Sequence, residues 1–264
     1  MTAVKVAEQF YSIQGEGPFA GTPSIFLRLA GCNLTCGWDP EDDIREYEPG
    51  DEPTAEDATW VCDTIDVWRD PDAQVDPKEL VQSWDARGWL DVLENGAHIV
   101  LTGGEPTLPV HQEAMTEFFD TLTERMGWEP FVEVETNGTQ MLAQEFEAYI
   151  DHFNVSLKLS NSGMEVDRRL VVDAIDQYIG MREPSKPRSG IFKFVVSNDQ
   201  DVTEAQTIAE EMEIPDEQMS LMPAGQTRDD LVETYPVVAE ACKENGWRFS
   251  PRLQVTTWGQ VTGV

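Results

Sequence analysis

The sequence predicts an α/β protein with a mostly parallel sheet, either doubly wound or curled into a partial barrel. Strand-like and helix-like segments alternate irregularly after residue 75, and the apolar content of 40% in 264 residues can fill a large core. We expect one domain over residues 1–264, although the length also allows two small ones. Seven short apolar segments predict strands: 24–31, 98–104, 131–138, 154–160, 191–198, 219–225 and 247–253.

Three helical patterns separate these strands and carry their own start and stop signals. The first has Asp76 as N-cap, Pro77 at the first helical position and Gly88 as stop. The second and third are "VHQEAMTEFFDTLTERMG", which ends at Gly127, and "DDLVETYPVVAEACKENG", which ends at Gly246 and contains Pro236 as a candidate kink. In such folds, ligands gather at the carboxyl ends of the strands.

An acidic segment at residues 37–61 interrupts the pattern. It holds ten acidic residues, one arginine and three prolines, a composition that cannot bury much apolar surface. We therefore predict an inserted surface loop.

The whole chain is strongly acidic, with 50 acidic residues against 18 basic ones and a formal net charge of −32. This charge argues against binding to nucleic acid, which needs a positive surface. An acidic face for a basic partner is one interpretation. Adaptation to a salt-rich cytosol is favoured, because the acidic residues are scattered along the chain.

No apolar segment is long enough to span a membrane, and the N-terminus lacks the pattern of a signal peptide. We therefore expect a cytoplasmic protein without membrane contact. In a reducing compartment, clustered cysteines indicate metal or redox chemistry rather than disulfides.

Three of the four cysteines form a candidate thiolate cradle. Cys32 and Cys36 follow a predicted strand, and Cys62 comes directly after the acidic insertion, which can bring it back at little entropic cost. Three thiolates around a four-iron cluster would leave one iron open to a small molecule. A structural zinc site is the alternative and would require a fourth ligand. Cys242 lies in a helical pattern and is expected to be an ordinary buried thiol.

The segment "LTGGEP" (101–106) ends a predicted strand beside this cradle. Its two glycines expose backbone amides and allow a ligand to approach closely. The carboxylate of Glu105 could accept a hydrogen bond from an ammonium group.

The cysteines and "GGEP" together resemble the radical S-adenosylmethionine (SAM) enzymes, whose fold is a partial (β/α) barrel. Within them, "FYSIQGEGPFAGTPSIFLRLAGCNLTC" (10–36) is similar to the start of the 7-carboxy-7-deazaguanine synthase family. The resemblance continues through "CDT" (62–64), "ETNGT" (135–139), "VSLK" (155–158) and "WGQVTGV" (258–264), so it covers almost the whole chain.

The resemblance implies a carbon–nitrogen lyase that converts 6-carboxy-5,6,7,8-tetrahydropterin to 7-carboxy-7-deazaguanine and ammonia. A 4Fe-4S cluster would cleave SAM to a radical that takes hydrogen from the substrate and later returns it. Mg²⁺, a reductant such as flavodoxin or ferredoxin, and a homodimer are also implied. The product would serve tRNA modification by queuosine or archaeosine, and the sequence leaves open which.

The resemblance also assigns residues by position. Cys32, Cys36 and Cys62 would bind the cluster, and Thr64 would bind Mg²⁺. Glu16 and Arg28 would act at the substrate, because arginine is a two-pronged donor for a carboxylate. The remaining substrate contacts would be Ile13, Gln14, Gly15, Thr102 and Val264. The SAM contacts would be Gly104, Glu105, Asn137, Ser156, Leu157, Lys158, Met222 and Pro223.

The chain departs from the family pattern at two positions. Leu157 stands where the family often has proline, and Gln254 replaces a histidine near the C-terminus, which removes any proton transfer there. Two alternative functions remain at this stage. A radical activase would share the cysteines and "GGEP" but act on a partner protein, and a non-catalytic metal-binding module would use the acidic segment as an interaction surface.

Overall fold

In the computed structural model, the described residues are 3–70, 73–181, 189–259, 261 and 263. Their nine strands form one sheet. The strands are β1 (Val4–Ile13), β2 (Pro23–Leu29), β3 (Ala73–Val75), β4 (His98–Gly103), β5 (Val132–Thr136), β6 (His152–Val155), β7 (Ser189–Val196), β8 (Met219–Pro223) and β9 (Arg248–Phe249). The α-helices are α1 (Ile65–Trp68), α2 (Pro77–Ala86), α3 (Trp89–Glu94), α4 (Pro109–Met126), α5 (Gln144–Glu147), α6 (Val166–Arg169), α7 (Val172–Gly180), α8 (Asp199–Glu211), α9 (Arg228–Asn245) and α10 (Leu253–Trp258). None of the helices in these ranges is long and apolar enough to cross a membrane.

The strand order decides between the two predicted architectures. The order is β3-β1-β2-β4-β5-β6-β7-β8-β9, with β1 antiparallel to its neighbours and every later pair parallel. Apart from β3, which pairs with β1, the strands from β2 onward are neighbours in chain order, without the reversal of a doubly wound sheet. Right-handed crossovers in one direction place the connecting helices on one face, so the sheet curls into a partial barrel. The predicted α/β partial barrel is confirmed.

The helix starts and stops that depend on capping residues next to them in sequence are confirmed. Asp76 caps α2 by accepting a hydrogen bond from the backbone N–H of Lys78, and Pro77 is the first helical residue. Gly127 and Gly246 end α4 and α9 in the left-handed conformation. Helix α9 continues through Pro236 as a single element.

Strand boundaries differ more from the predictions. Strand β6 ends at Val155, so the predicted strand over residues 154–160 is wrong beyond that point. Leu157 and Leu159 are buried there by irregular backbone that leads into a 3₁₀ turn. Strand β9 covers two residues of the predicted 247–253, and β1 and β3 were not predicted.

The two faces of the sheet differ in polarity. The outer face packs against the helices through a large apolar core that includes Ile25, Leu27 and Leu29. Because side chains alternate along a strand, the residues between these point into the barrel. The inner face is polar at many positions: Arg28, His98, Thr102, Glu133, Glu135, His152, Asn154, Lys193 and Ser220.

The acidic insertion is more compact than the sequence predicts. The expectation that it buries little is wrong, because Trp38, Tyr47 and Val61 are buried and pack with Ile65 and Trp68 as a small separate core. The Trp38 and Tyr47 rings meet edge to face with centroids 5.6 Å apart. The acidic side chains are mostly exposed around this core.

Candidate functional site

Most of the predicted site residues lie at the carboxyl ends of the parallel strands. Because these strands run in the same direction, their carboxyl ends form one end of the barrel. Cys32 follows β2, Gly104 follows β4, Asn137 follows β5, Ser156 follows β6 and Pro223 ends β8.

The acidic insertion returns Cys62 to the neighbourhood of Cys36. The backbone N–H of Cys62 donates to the carbonyl oxygen of Cys36 at 3.0 Å. Gly37 anchors the base of the insertion, since its carbonyl oxygen accepts from Thr54 and Ala55 at 2.9 and 3.2 Å. A Cβ at Gly37 would lie 2.1 Å from the carbonyl oxygen of Trp60, so no larger residue fits this closure.

The three thiols share one environment. Cys36 forms a small apolar cluster with Leu34 and Met164, and Cys32 and Cys62 pack against it. Burial raises the pKa of the Cys36 thiol to about 11, although the nearby Lys158 ammonium lowers it. Burial also raises the pKa of Cys32. Deprotonation of these thiols therefore needs a compensating positive charge, as metal ions supply.

The donor set fits an iron–sulfur cluster better than a single zinc ion. Within the described ranges, no three His, Cys, Asp or Glu side chains are placed to hold one metal ion. Cys242, a potential fourth ligand, lies in α9 and donates to the carbonyl oxygen of Arg248 at 3.2 Å. Three cysteines, with no fourth protein ligand among the residues that the structure describes, match a cluster with one open iron.

The segment after β4 lies directly against the first cysteine. The backbone N–H of Gly104 donates to Leu29 at 3.1 Å, and that of Glu105 donates to Gly31 at 2.9 Å. A Cβ at Gly104 would lie 2.1 Å from the Gly31 oxygen and 2.9 Å from Cys32 Cβ. Glycine at this position therefore allows the two backbone segments to meet beside the candidate cluster site.

Glu105 is surrounded by hydrogen-bond donors of its own loops. Its side chain is fully buried, and its carboxylate accepts from Thr107 N and Oγ1 at 2.8 and 2.5 Å, Thr136 Oγ1 at 2.8 Å and Asn137 N at 2.7 Å. Burial raises its pKa, and these hydrogen bonds lower it in part. With four donors and no exposed surface, this carboxylate shapes the loops, and the expected contact with a ligand ammonium group stays a prediction.

Asn137 links this loop to the first cysteine. Its Nδ2 donates to Asn33 Oδ1 at 3.0 Å and lies 3.9 Å from Cys32 Sγ. Its Oδ1 accepts from Thr139 N and Oγ1 at 3.1 and 2.7 Å. The side chain is thereby fixed with its amide beside the thiol.

The segment after β6 contributes an ammonium group to the same edge. Lys158 Nζ donates to Ser156 Oγ at 3.1 Å and lies close enough to Cys36 to affect its pKa. Leu157, between them, is buried in the apolar core. Met222 and Pro223 are also buried, at the end of β8.

The turn after β1 lies inside the barrel. Ile13 ends β1 opposite Pro23, and Gly15 accepts from Leu253 N at 2.9 Å. The Gln14 side chain is buried; its Oε1 accepts from Gly15 N at 2.9 Å, and its Nε2 donates to Glu133 at 3.1 Å and Glu135 at 3.3 Å. In this structure Gln14 holds the turn to β5.

Glu16 is the charged residue of this turn and lies between two basic side chains. Its Oε2 accepts from Lys193 Nζ at 2.6 Å, and its Oε1 accepts from Gln254 Nε2 at 2.6 Å and lies 3.4 Å from Arg252 Nε. Burial alone would raise the pKa of Glu16, but Lys193 and Arg252 outweigh it and lower that pKa to about 2. Glu16 is therefore an ionised, well-oriented acceptor at neutral pH.

Arg28 and Thr102 are neighbours across β2 and β4 on the inner face. Arg28 Nε donates to Glu8 Oε2 at 3.1 Å, and its two terminal nitrogens make no hydrogen bond with the residues described. Gly263 lies beside the same Glu8, since a Cβ there would be 2.9 Å from Glu8 Oε1. The predicted contact at Val264 falls outside the described residues.

Thr64 precedes α1 and lies beside the third cysteine. Its Oγ1 is 3.5 Å from Cys62 Sγ and makes no capping hydrogen bond to the helix. The hydroxyl group is thus not used in a local turn.

Sequence reasoning missed four charged residues of the barrel interior. Glu133 and Glu135 lie on β5, Lys193 lies on β7, and Arg252 precedes α10. Alternation was the available signal, because "VEVET" and "FKF" place charges at every second position of otherwise apolar strands. Only the tertiary structure shows that these charges meet.

No family model matches the chain. Curated relatives do. The chain is 31% identical to the 7-carboxy-7-deazaguanine synthase of Halobacterium salinarum over 275 aligned positions, covering 98% of this chain and 92% of that one. It is 30% identical to the enzyme of the same name from Pyrobaculum aerophilum, covering 98% and 97%. The crystal structure of QueE from Escherichia coli has a similar fold, with a TM-score of 0.57 at 22% identity over 95% of this chain and 94% of that one.

Proposed function

Because the chain belongs to the 7-carboxy-7-deazaguanine synthase family, we propose that it converts 6-carboxy-5,6,7,8-tetrahydropterin to 7-carboxy-7-deazaguanine with loss of ammonia. It is a lyase that uses SAM and a 4Fe-4S cluster. One structural observation best supports this reaction. Cys36 and Cys62 come together at the carboxyl ends of the strands, where Cys32 and Gly104 also lie.

The residues around the thiols bind and orient the cofactors. Cys32, Cys36 and Cys62 would hold the cluster, which, when bound, supplies the electron that cleaves SAM. Gly104 would admit SAM beside Cys32, and Asn137 would donate a hydrogen bond toward that sulfur. Lys158 offsets part of the negative charge of the thiolates. Ser156, Leu157, Met222 and Pro223 would complete the SAM pocket along the ends of β6 and β8.

The inner face of the barrel would bind the pterin. Glu16, as an ionised acceptor, suits the N–H groups of the ring, and Ile13, Gln14 and Gly15 form the turn that presents it. The terminal nitrogens of Arg28 suit the substrate carboxylate, with Thr102 adjacent. Val264, outside the described residues, stays a predicted substrate contact. These charged groups hold the substrate in one orientation as its ring contracts.

Several finer features belong to the same proposal. Mg²⁺ would bind near the Thr64 hydroxyl, since Mg²⁺ prefers oxygen ligands and takes part of its shell from substrate. We further propose a single domain over residues 1–264, a homodimer, a flavodoxin or ferredoxin as reductant, a cytoplasmic location, and adaptation to high salt. The last rests on the charge of −32.

Anaerobic reconstitution with iron and sulfide, followed by an assay with SAM, Mg²⁺ and carboxytetrahydropterin, tests the function. The native chain should bind a cluster and form the deazapurine, whereas Cys62→Ala should lose most of its iron and all product. Cys242→Ala is the matched control and should behave like the native chain. Full product formation by Cys62→Ala would overturn the assignment of the third ligand, and a reconstituted native chain that leaves the pterin unchanged would overturn the reaction.

A further inference from the structure

Lys193 is a buried cation in the middle of an apolar strand. Its side chain is 3% exposed, and its neighbours on β7, Phe192 and Phe194, are fully buried in the core. Its Nζ lies 2.6 Å from Glu16 Oε2 and 2.9 Å from Glu135 Oε2. Burying an ammonium group is costly unless acceptors surround it, and two carboxylates meet that need here.

The two carboxylates differ in position rather than in exposure. Glu16 (17% exposed) lies on the turn proposed to meet the pterin, whereas Glu135 (18% exposed) lies on β5 and also accepts from Gln14. Lys193 is too deeply buried to touch a ligand and reaches it only through Glu16. The ammonium group thus contacts the proposed substrate acceptor and Glu135 at the same time.

We propose that Lys193 is a positioning residue for the pterin, which fixes Glu16 as an oriented anion and sets the protonation state in which the substrate binds. The inference rests on the proposed function, because it assumes that Glu16 accepts the N–H groups of the pterin ring. It goes beyond that function because Lys193, which does not itself contact the pterin, sets the charge and the orientation of Glu16, which does.

The charges around Lys193 explain why one cation controls Glu16. The titratable and charged groups around Lys193 come from several elements: Glu16 after β1, His98 on β4 (paired with Glu133 at 2.7 Å), Glu133 and Glu135 on β5, His152 on β6, and Arg252, paired with Asp63, before α10. Burial keeps His152 neutral, with a pKa lowered to about 4. Two basic side chains, Lys193 and Arg252, thus share this space with the carboxyl groups of Glu16, Glu133 and Glu135.

Removal of Lys193 would leave Glu16 and Glu135 as neighbouring, partly buried carboxylates with one cation fewer. Like charges at short range favour the uptake of a proton by one of them. Burial already raises the pKa of Glu135, and Glu16 would lose the partner that most lowers its own. A proton shared by the two carboxyl groups makes Glu16 a weaker and less fixed acceptor, so pterin binding should weaken and improve again as pH rises.

The test is calorimetric titration of carboxytetrahydropterin into the reconstituted, SAM-bound protein between about pH 6 and about pH 9. The native chain should bind with an affinity that is nearly independent of pH, and Lys193→Arg should remain within about threefold of it. Lys193→Met should bind at least about tenfold more weakly at the low end of this range and recover part of the loss at the high end.

A second variant separates positioning from a general effect on folding. Lys193→Met combined with Glu135→Gln removes one charge of each sign, so Glu16 should remain an anion through Arg252 and the pH dependence should disappear. SAM affinity, measured on the same samples, should not change in either variant.

The outcomes distinguish this inference from the proposed function. A native chain that binds SAM but no pterin would refute the function itself. If the native chain binds the pterin, equal affinity and an equal pH profile in Lys193→Met would refute the role of Lys193 alone. A binding loss in Lys193→Met that is the same at every pH, and that persists in the double variant, would also refute it, because it would indicate only a structural role.

Discussion

Replacing Glu105 by glutamine tests whether this carboxylate shapes the loops or contacts a ligand. In the structure, Oε1 accepts three hydrogen bonds and Oε2 accepts one, from Asn137 N at 2.7 Å. A glutamine can keep its oxygen at the Oε1 position. Its NH₂ group then faces the N–H of Asn137, and two donors oppose each other in a fully buried space.

The cost follows from the loss of that single acceptor. A buried donor left without a partner costs about 1 to 3 kcal/mol. With a urea slope of about 3 kcal/mol per molar, Glu105→Gln should lower the midpoint of urea unfolding by roughly 0.3 to 1 M. SAM affinity under native conditions should change by less than about threefold, because the side chain has no exposed surface.

Urea unfolding followed by tryptophan fluorescence, together with SAM titration, measures both quantities. Glu113→Gln is the matched control, since Glu113 is exposed on α4 and its replacement should leave the midpoint unchanged. An unchanged midpoint combined with a large loss of SAM affinity in Glu105→Gln would refute this reasoning. It would restore the expectation, drawn from the sequence, that Glu105 accepts from the ammonium group of SAM.

Three further predictions concern the insertion, the surface charge and the barrel interior. Trp38→Ala should lower the free energy of unfolding of the insertion by about 3 to 5 kcal/mol, because Trp38 packs with Tyr47 in the small core, and should make the insertion sensitive to protease. Trp128→Ala, at an exposed site, should do neither. Equal protease resistance of the two variants would contradict the second core. Lowering the salt concentration from about 1 M to about 0.15 M lengthens the screening distance from about 3 to about 8 Å. Repulsion among the acidic side chains should then grow, so the urea midpoint of unfolding should fall. A constant midpoint would argue against salt adaptation. Because the pKa of Glu16 is lowered from 4.5 to about 2, its ion pairs stabilise the fold above pH 4.5 and are lost as pH falls toward 2. Glu16→Gln should therefore destabilise the chain at neutral pH, with a difference that shrinks below pH 4.5; a difference that is constant with pH would contradict the assigned pKa.

Local signals predicted much of the fold. The cap at Asp76 and the stops at Gly127 and Gly246 depend on residues next to them in sequence, and the structure has all three. The strand over residues 154–160 was overextended because Leu157 and Leu159 alternate like a strand. Their burial instead comes from packing after β6 has ended, which the sequence does not encode locally.

The thiols and glycines of the site could be predicted because their chemistry is tied to residue type. Only cysteine supplies the thiolate that the cluster needs. Only glycine fits at position 104, because a Cβ there would collide with Gly31. Lys193 could not be assigned in this way, because a lysine in a strand has no fixed meaning until its partners are known. Those partners, Glu16 and Glu135, lie far away in sequence on other strands or turns.

The closure at Gly37 has a consequence for how the length of the insertion relates to the metal site. The Cys36–Cys62 hydrogen bond and the contacts of Gly37 with Thr54 and Ala55 close the segment at its base. The exposed residues beyond that base can vary in number while the base stays closed, provided that the core around Trp38 and Tyr47, which packs against Cys32 and Cys62, is kept. The number of residues between the second and third cysteines is therefore a poor guide to whether a chain of this kind can assemble its metal centre.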